Sequence, residues 1–147
     1  MAFIYYLTQV QFDFGAVKLL KQECERVGIT RPLVVTDPGV KAAGVLQKAL
    51  DALTGMPVAV FDQTPSNPTE ASVRAAVEVY RANRCDGLIA VGGGSAIDCA
   101  KGVAIAATPV GEQWWSSIGI QKWPWTGWSP RGGTMVKQGM THGVMRQ

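Results

Sequence analysis

Cysteine is scarce in this chain, and what there is of it builds little. Cys24, Cys85 and Cys99 lie too far apart for a short-spaced metal knuckle, and three thiols cannot all pair as disulfides. Each falls within or beside an apolar pattern, so we read them as small core residues rather than as Cys-His nucleophiles. No run approaches the roughly 18 apolar residues that a membrane span requires. The opening MAFIYYLTQVQFDF has no basic leader before its apolar residues, so no secretory signal is expected and a cytoplasmic setting is the default. A dense basic stripe is missing as well. Residues 1–111 carry ten Lys or Arg and ten Asp or Glu, and the net charge of +3 comes from four scattered residues, Lys122, Arg131, Lys137 and Arg146, against Glu112. Nucleic acid is therefore not an expected partner. With 147 residues, 47% of them hydrophobic, the chain is long enough for one domain with a proper core and hardly for two.

What is present is a regular alternation. Val17, Leu20, Cys24 and Val27 recur at helical spacing, with Gly28 placed for a C-terminal cap. Leu33–Thr36 reads as a strand. Asp37-Pro38 follows as a cap with a first-turn proline, opening one helix whose apolar face is Val40, Ala43, Leu46, Leu50 and Leu53. After a second strand at Val58–Phe61, Asn67-Pro68-Thr69-Glu70 repeats the start signal with Asn67 as cap, ahead of Val73, Ala76, Val77 and Tyr80. Leu88–Val91 is the last clear strand, and Ile97, Ala100, Ala104 and Ile105 mark the last clear helix. Short, continuously apolar strands between amphipathic helices imply a doubly wound, mainly parallel, Rossmann-like α/β sheet with helices on both faces. In such sheets ligands gather at the carboxyl ends of the strands, here Asp37, the 62–67 segment and Gly92–Ser95.

The last of these, in VGGGSAIDCAKG at Val91–Gly102, carries the most chemistry. Gly92, Gly93 and Gly94 allow positive φ and close approach of a ligand to the backbone. Ser95 is placed to cap the following helix, with Asp98 three residues on as in a capping box. Free amides and the positive end of the helix dipole would then face a phosphate. The usual dinucleotide fingerprint is absent, because Ile97 stands where a third spaced glycine would be called for, and the turn follows the last strand rather than the first.

GGGSAIDCAK at Gly92–Lys101, NPTE at Asn67–Glu70, VTDPG at Val35–Gly39 and Phe14-Gly15 together, in this order, resemble the N-terminal domain of the iron-containing (group III) alcohol dehydrogenases. The resemblance covers about residues 3–110. It implies NAD or NADP as cofactor, with Gly93, Gly94 and Ser95 at the pyrophosphate and Asp37 at the adenosine ribose. There a carboxylate accepts from hydroxyls and repels a 2′-phosphate, which favours NAD and leaves NADP open. Asn67 matches a position lining the cofactor cleft, and Asp98 and Lys101 belong to the same signature. The residues alone leave Asp37 and Asn67 readable as plain helix caps, Asp98 as a capping partner, and Lys101 as bound either to a phosphate or to Asp98. Ser95 and NPTE look nearer the alcohol dehydrogenases than the dehydroquinate-synthase or glycerol-dehydrogenase branches.

The resemblance further implies hydride transfer between a small alcohol or aldehyde and the nicotinamide, with a divalent iron or zinc polarising the oxygen. That metal is held in the family by one Asp and three His on a C-terminal domain, and His142 is the only histidine here. Beyond Thr108 the rhythm stops, and no TTAGTGSE-like run follows. All five tryptophans, Trp114, Trp115, Trp123, Trp125 and Trp128, crowd into one stretch. We therefore divide the chain into a dinucleotide-binding domain at 1–110 and an atypical tail at 111–147. A shifted reading frame or recombined terminus is expected for the tail, with a genuine extension as the alternative. The aromatic cluster is also a candidate dimer surface. Two functions stay open: the cofactor half of a dehydrogenase, and a non-catalytic nucleotide-binding fragment.

Overall fold

In the computed structural model the described residues are 11–107 and 142–145. After a single turn of 3-10 helix at Ala16–Leu19, the elements run α1 (Leu20–Val27), β1 (Pro32–Val35), α2 (Pro38–Ala42), α3 (Val45–Ala52), β2 (Ala59–Phe61), α4 (Glu70–Ala82), β3 (Gly87–Val91), α5 (Gly94–Ala106) and β4 (His142–Met145). The strands lie in the order β2-β1-β3-β4. β1 pairs in parallel with both β2 and β3, whereas β4 runs antiparallel to β3. The doubly wound α/β reading holds, and its three expected strands are found within one residue of their expected bounds.

Alternation along the strands splits the core in two, because successive side chains point to opposite faces. Leu33, Val35, Phe61, Leu88 and Ala90 pack against α4 and α5. Val34, Ile89 and Val91 pack on the other face with Leu20 and Cys24 of α1 and Leu46 and Ala49 of α3. β1 and β3 are buried along their whole length. That is what parallel strands covered on both faces require, and it explains their unbroken apolar sequence.

Several local expectations need correction. The helix drawn from Asp37 to Leu53 is two helices, because Gly44 at φ 73 turns the chain between α2 and α3. Helix α4 is capped by Thr69 and not by Asn67. The Thr69 hydroxyl accepts from Ser72 N at 3.2 Å, and Ser72 Oγ accepts from Thr69 N at 3.0 Å. The reciprocal pair satisfies two first-turn amides at once, and Glu70 is left to pair with Arg74 one turn on. Strand β4 falls in the stretch read from sequence as having no period. The remainder of the tail, with its tryptophans, lies outside the described residues, as does the opening Phe3–Leu7. Phe12 and Phe14 are exposed.

At the foot of the sheet Asp86 joins β3 to β1. Its carboxylate accepts from Thr30 N, Thr30 Oγ1 and Arg31 N, and its own amide donates to Arg31 O. Burial works against the ionised carboxylate, but these hydrogen bonds together outweigh it and hold Asp86 below the usual aspartate range. Beside it, a Cβ on Gly87 would come within 2.4 Å of Ile29 Cγ1, so β3 and the end of α1 meet where a methyl has no room.

Two outcomes follow for stability. A depressed carboxylate stabilises the fold above its unfolded pKa of about 3.9 and loses that contribution as pH falls through its folded value, so Asp86→Asn should flatten acid denaturation specifically below about pH 4. Gly87→Ala should lower stability by about 1–3 kcal/mol through overpacking against Ile29, read as a shifted urea midpoint with an unchanged slope.

Candidate functional site

The two crossovers leave a crevice between β1 and β3. From β1 the chain goes by way of α2 and α3 to β2 on one side, and from β2 by way of α4 it returns past β1 to β3 on the other. The strand order thus reverses between β1 and β3, and their carboxyl ends, Asp37 and Gly92, flank the point where such sheets bind ligands.

Asp37 stands at the end of β1 with extended backbone and caps α2, its Oδ1 accepting from Val40 N at 2.9 Å. One helix turn on, Lys41 Nζ pairs with Asp62 Oδ2 at the end of β2. The hydrogen bond from that ammonium holds the Asp62 carboxyl below its usual range. Across the crevice Gly92 adopts φ 145, which L side chains rarely occupy. A Cβ there would sit 3.0 Å from Asp37 Oδ2, 3.1 Å from Ala96 Cβ and 3.2 Å from Val40 Cγ2. The turn after β3 can lie against the cap of α2 only because residue 92 has no side chain.

Positive φ, expected as available to all three glycines, is used by Gly92 alone. Gly93 is the N-cap of α5 in extended conformation, and Gly94 is already helical. The cap expected at Ser95 is therefore not formed. The helix begins before it, and the Ser95 hydroxyl donates instead to Ser66 O. That bond ties the loop that carries Asn67 to the start of α5 at Ser66. Asp98 makes no capping box with Ser95 and accepts from Lys101 Nζ at 3.3 Å, one turn along the same helix. As a result the first-turn amides of α5 meet no side-chain cap, and a Cβ at Gly93 or Gly94 would touch nothing within 4 Å among the described residues. A thirteen-residue helix whose first amides are uncapped attracts an anion.

Sequence reasoning missed two side chains beside this crevice. The hydroxyls of Thr36 and Thr64 are buried without a regular hydrogen-bond partner. Thr36 N donates to Phe61 O and Thr64 N to Thr36 O, which carries the β1–β2 pairing one step past the strands. Thr36 closes an apolar run and Thr64 stands in a polar loop, so the sequence carries no common signal for the pair. Thr64 faces the thiol of Cys99. Burial pushes that thiol up, and the Thr64 and Ser72 hydroxyls offset part of the rise. Cys24 is pushed up to about 12 by burial; Cys24 and Cys99 are core groups as expected, and Cys85 packs half-buried against the core.

A family model described as iron-containing alcohol dehydrogenase matches residues 8–127. This chain belongs to that family. Among curated relatives it is 70% identical over 112 residues to a 4-hydroxybutyrate dehydrogenase of Cupriavidus necator, covering 76% of this chain and 29% of the relative. It is 40% identical over 125 residues to a 1,3-propanediol dehydrogenase of Citrobacter freundii, covering 81% and 32%. Among solved structures, a 1,3-propanediol oxidoreductase matches with TM-score 0.69 at 37% identity, over 74% of this chain and 29% of that one. An NADH-dependent butanol dehydrogenase of Thermotoga maritima matches with TM-score 0.72 at 26% identity, over 93% and 34%. The chain thus spans about a third or less of the length of these iron-containing dehydrogenases.

The residues present fit the family's dinucleotide but not its metal. For the dinucleotide there is a glycine cradle that a Cβ would fill, uncapped helix amides and a carboxylate across the crevice. For the metal, the described residues include no group of three or more His, Cys, Asp or Glu that could hold an ion, and the whole sequence contains one histidine.

Gly92→Ala should be the most damaging single-methyl change in this site. Backbone strain and contact with Asp37 together should cost about 1–3 kcal/mol of stability. Asp37→Ala, which removes only a cap, should cost about 1 kcal/mol. Paired thermal melts of the two variants check the order.

Proposed function

We propose that the chain is the dinucleotide-binding part of an NAD-dependent alcohol dehydrogenase of this family. The observation that carries the reading is the start of α5, thirteen residues long and without a side-chain cap, with no described residue over Gly93 or Gly94 and with Asp37 beside the turn. Gly93, Gly94 and Ser95 would hold the pyrophosphate through backbone amides and the helix dipole, while Gly92 lets it come close. Asp37 would take the adenosine ribose. One of its oxygens is engaged by Val40 N, and the carboxylate still presents acceptor capacity to two hydroxyls while repelling a 2′-phosphate. Asn67, held near the turn through the Ser95–Ser66 bond, lines the same crevice. Asp98 and Lys101 lie farther along α5 as an ion pair, about one and two turns from the phosphate seat.

The bound dinucleotide supplies a hydride acceptor for an alcohol carbon. The 70% identity to a 4-hydroxybutyrate dehydrogenase favours a short hydroxy acid with a primary alcohol as substrate of the intact enzyme. A second reading is supported by the donor set: with a single histidine, the chain by itself binds the nucleotide without turning it over. A cytoplasmic setting and a homodimer, with the tryptophan-rich segment as the contact, complete the proposal.

Calorimetric titration tests the reading. NAD should bind at least about tenfold more tightly than NADP, a difference of about 1.4 kcal/mol. Asp37→Gly should erase the preference by weakening NAD and relieving NADP. Binding of neither dinucleotide to the wild-type chain would overturn the assignment. Stoichiometric iron or zinc with alcohol-dependent NADH formation would overturn the second reading.

A further inference from the structure

Asp37 does not stand alone at its end of the crevice. Val35 lies opposite Phe61 across the parallel β1–β2 pair, and Thr36 N donates to Phe61 O at 2.8 Å. Asp62, the next residue, therefore leaves β2 one strand spacing, about 4.8 Å, from the end of β1. Helix α2 brings a cation to the same rim. The amide of Lys41 donates to Asp37 O at 3.1 Å, so Lys41 stands one helix turn on from the carboxylate that would take the ribose. Its ammonium is bound to Asp62 Oδ2, which joins the ends of β1 and β2 by charge.

The Lys41 side chain is 59% exposed and that of Asp62 27%, and an ion pair this open to water adds little to stability. What sets the pair apart is its position. In the segments that close the three parallel strands, 36–41, 61–69 and 92–95, Lys41 is the one Lys or Arg among the described residues. Two carboxylates against one ammonium leave the rim with a net negative charge. Ribose hydroxyls tolerate that charge, whereas a 2′-phosphate, with a charge of about −2, is repelled by it.

We propose that Asp62 is a positioning residue for cofactor choice: it engages the Lys41 ammonium at the end of β2 and withholds it from a phosphate on the ribose 2′-oxygen beside Asp37. Discrimination against NADP is then shared. Asp37 repels the phosphate directly, and Asp62 removes the cation that would offset the repulsion. Released from Asp62, Lys41 becomes the phosphate's partner, because a lysine one helix turn from the ribose seat has the length and the donors to reach it. The inference deepens the dinucleotide reading and rests on it.

Calorimetric titration of NAD and NADP at low salt into the full chain and its variants tests this. Asp62→Ala should tighten NADP about tenfold and leave NAD within about twofold. Combined with Asp37→Gly it should reverse the preference, and adding Lys41→Gln should cancel the gain for NADP alone. The gain should also shrink in about 0.5 M salt, because the new contact is between exposed charges. An Asp62 that serves only the fold would shift both dinucleotides together or neither, and that result overturns the proposal, as does a gain that survives Lys41→Gln. Asp62→Asn, which keeps the shape of the side chain, replaces Asp62→Ala if the alanine variant does not fold. Loss of the fold in both would make the pair a stability element and overturn the proposal too. Wild-type chain that binds neither dinucleotide sinks the reading of the crevice itself; wild type that binds NAD, with NADP affinity unchanged in Asp62→Ala, sinks only the role of Asp62.

Discussion

Space that only a hydrogen atom can fill organises the upper end of this sheet. Residue 92 lies where a Cβ would press on the Asp37 carboxylate, on Ala96 and on Val40 together. Because that space is empty of side chain, the turn after β3 folds against the cap of α2 and α5 can start directly beneath the crevice. The start of α5 then determines the rest of the site. It makes Gly93 the cap, turns Ser95 toward Ser66 and leaves the first-turn amides facing outward. The chemistry of the site is thus mostly backbone, and its side chains chiefly fix where that backbone goes.

The fold was largely legible in the sequence because its main signals are local and repeated. Unbroken apolar runs at 33–35 and 88–91 mark strands buried on both faces, and Asp37-Pro38 marks a helix start that the structure forms as expected. Reading the other two helix starts failed for a shared reason. Asn67 and Thr69 are both good caps two residues apart, and the choice between them was made by a reciprocal bond from Ser72 rather than by propensity. At α5 the serine lost to glycine because the helix begins at Gly94, one residue before it. A serine inside a first turn then seeks an acceptor elsewhere, here a carbonyl 29 residues away. Periodicity passed smoothly over Gly44, since α2 and α3 keep nearly the same apolar phase across the break.

What the sequence did not disclose is long-range. The Asp86 carboxylate reaches residues 55 and 56 positions earlier, and no local pattern marks it. Strand β4 has no apolar alternation that would announce it, and its place follows from the hydrogen-bonding needs of β3 more than from its own residues. The family resemblance was legible because its motifs sit at strand ends, where residue type and geometry are tightly linked.

The Asp86 clamp has a meaning for binding as well as for stability. It fastens β1 to β3 at the foot of the sheet, while the contact between Gly92 and Asp37 joins the same two strands at the top. Fixed at both ends, the strands present a crevice whose width is set in advance of any ligand. A ligand entering it has little backbone left to order, which removes one of the costs of association.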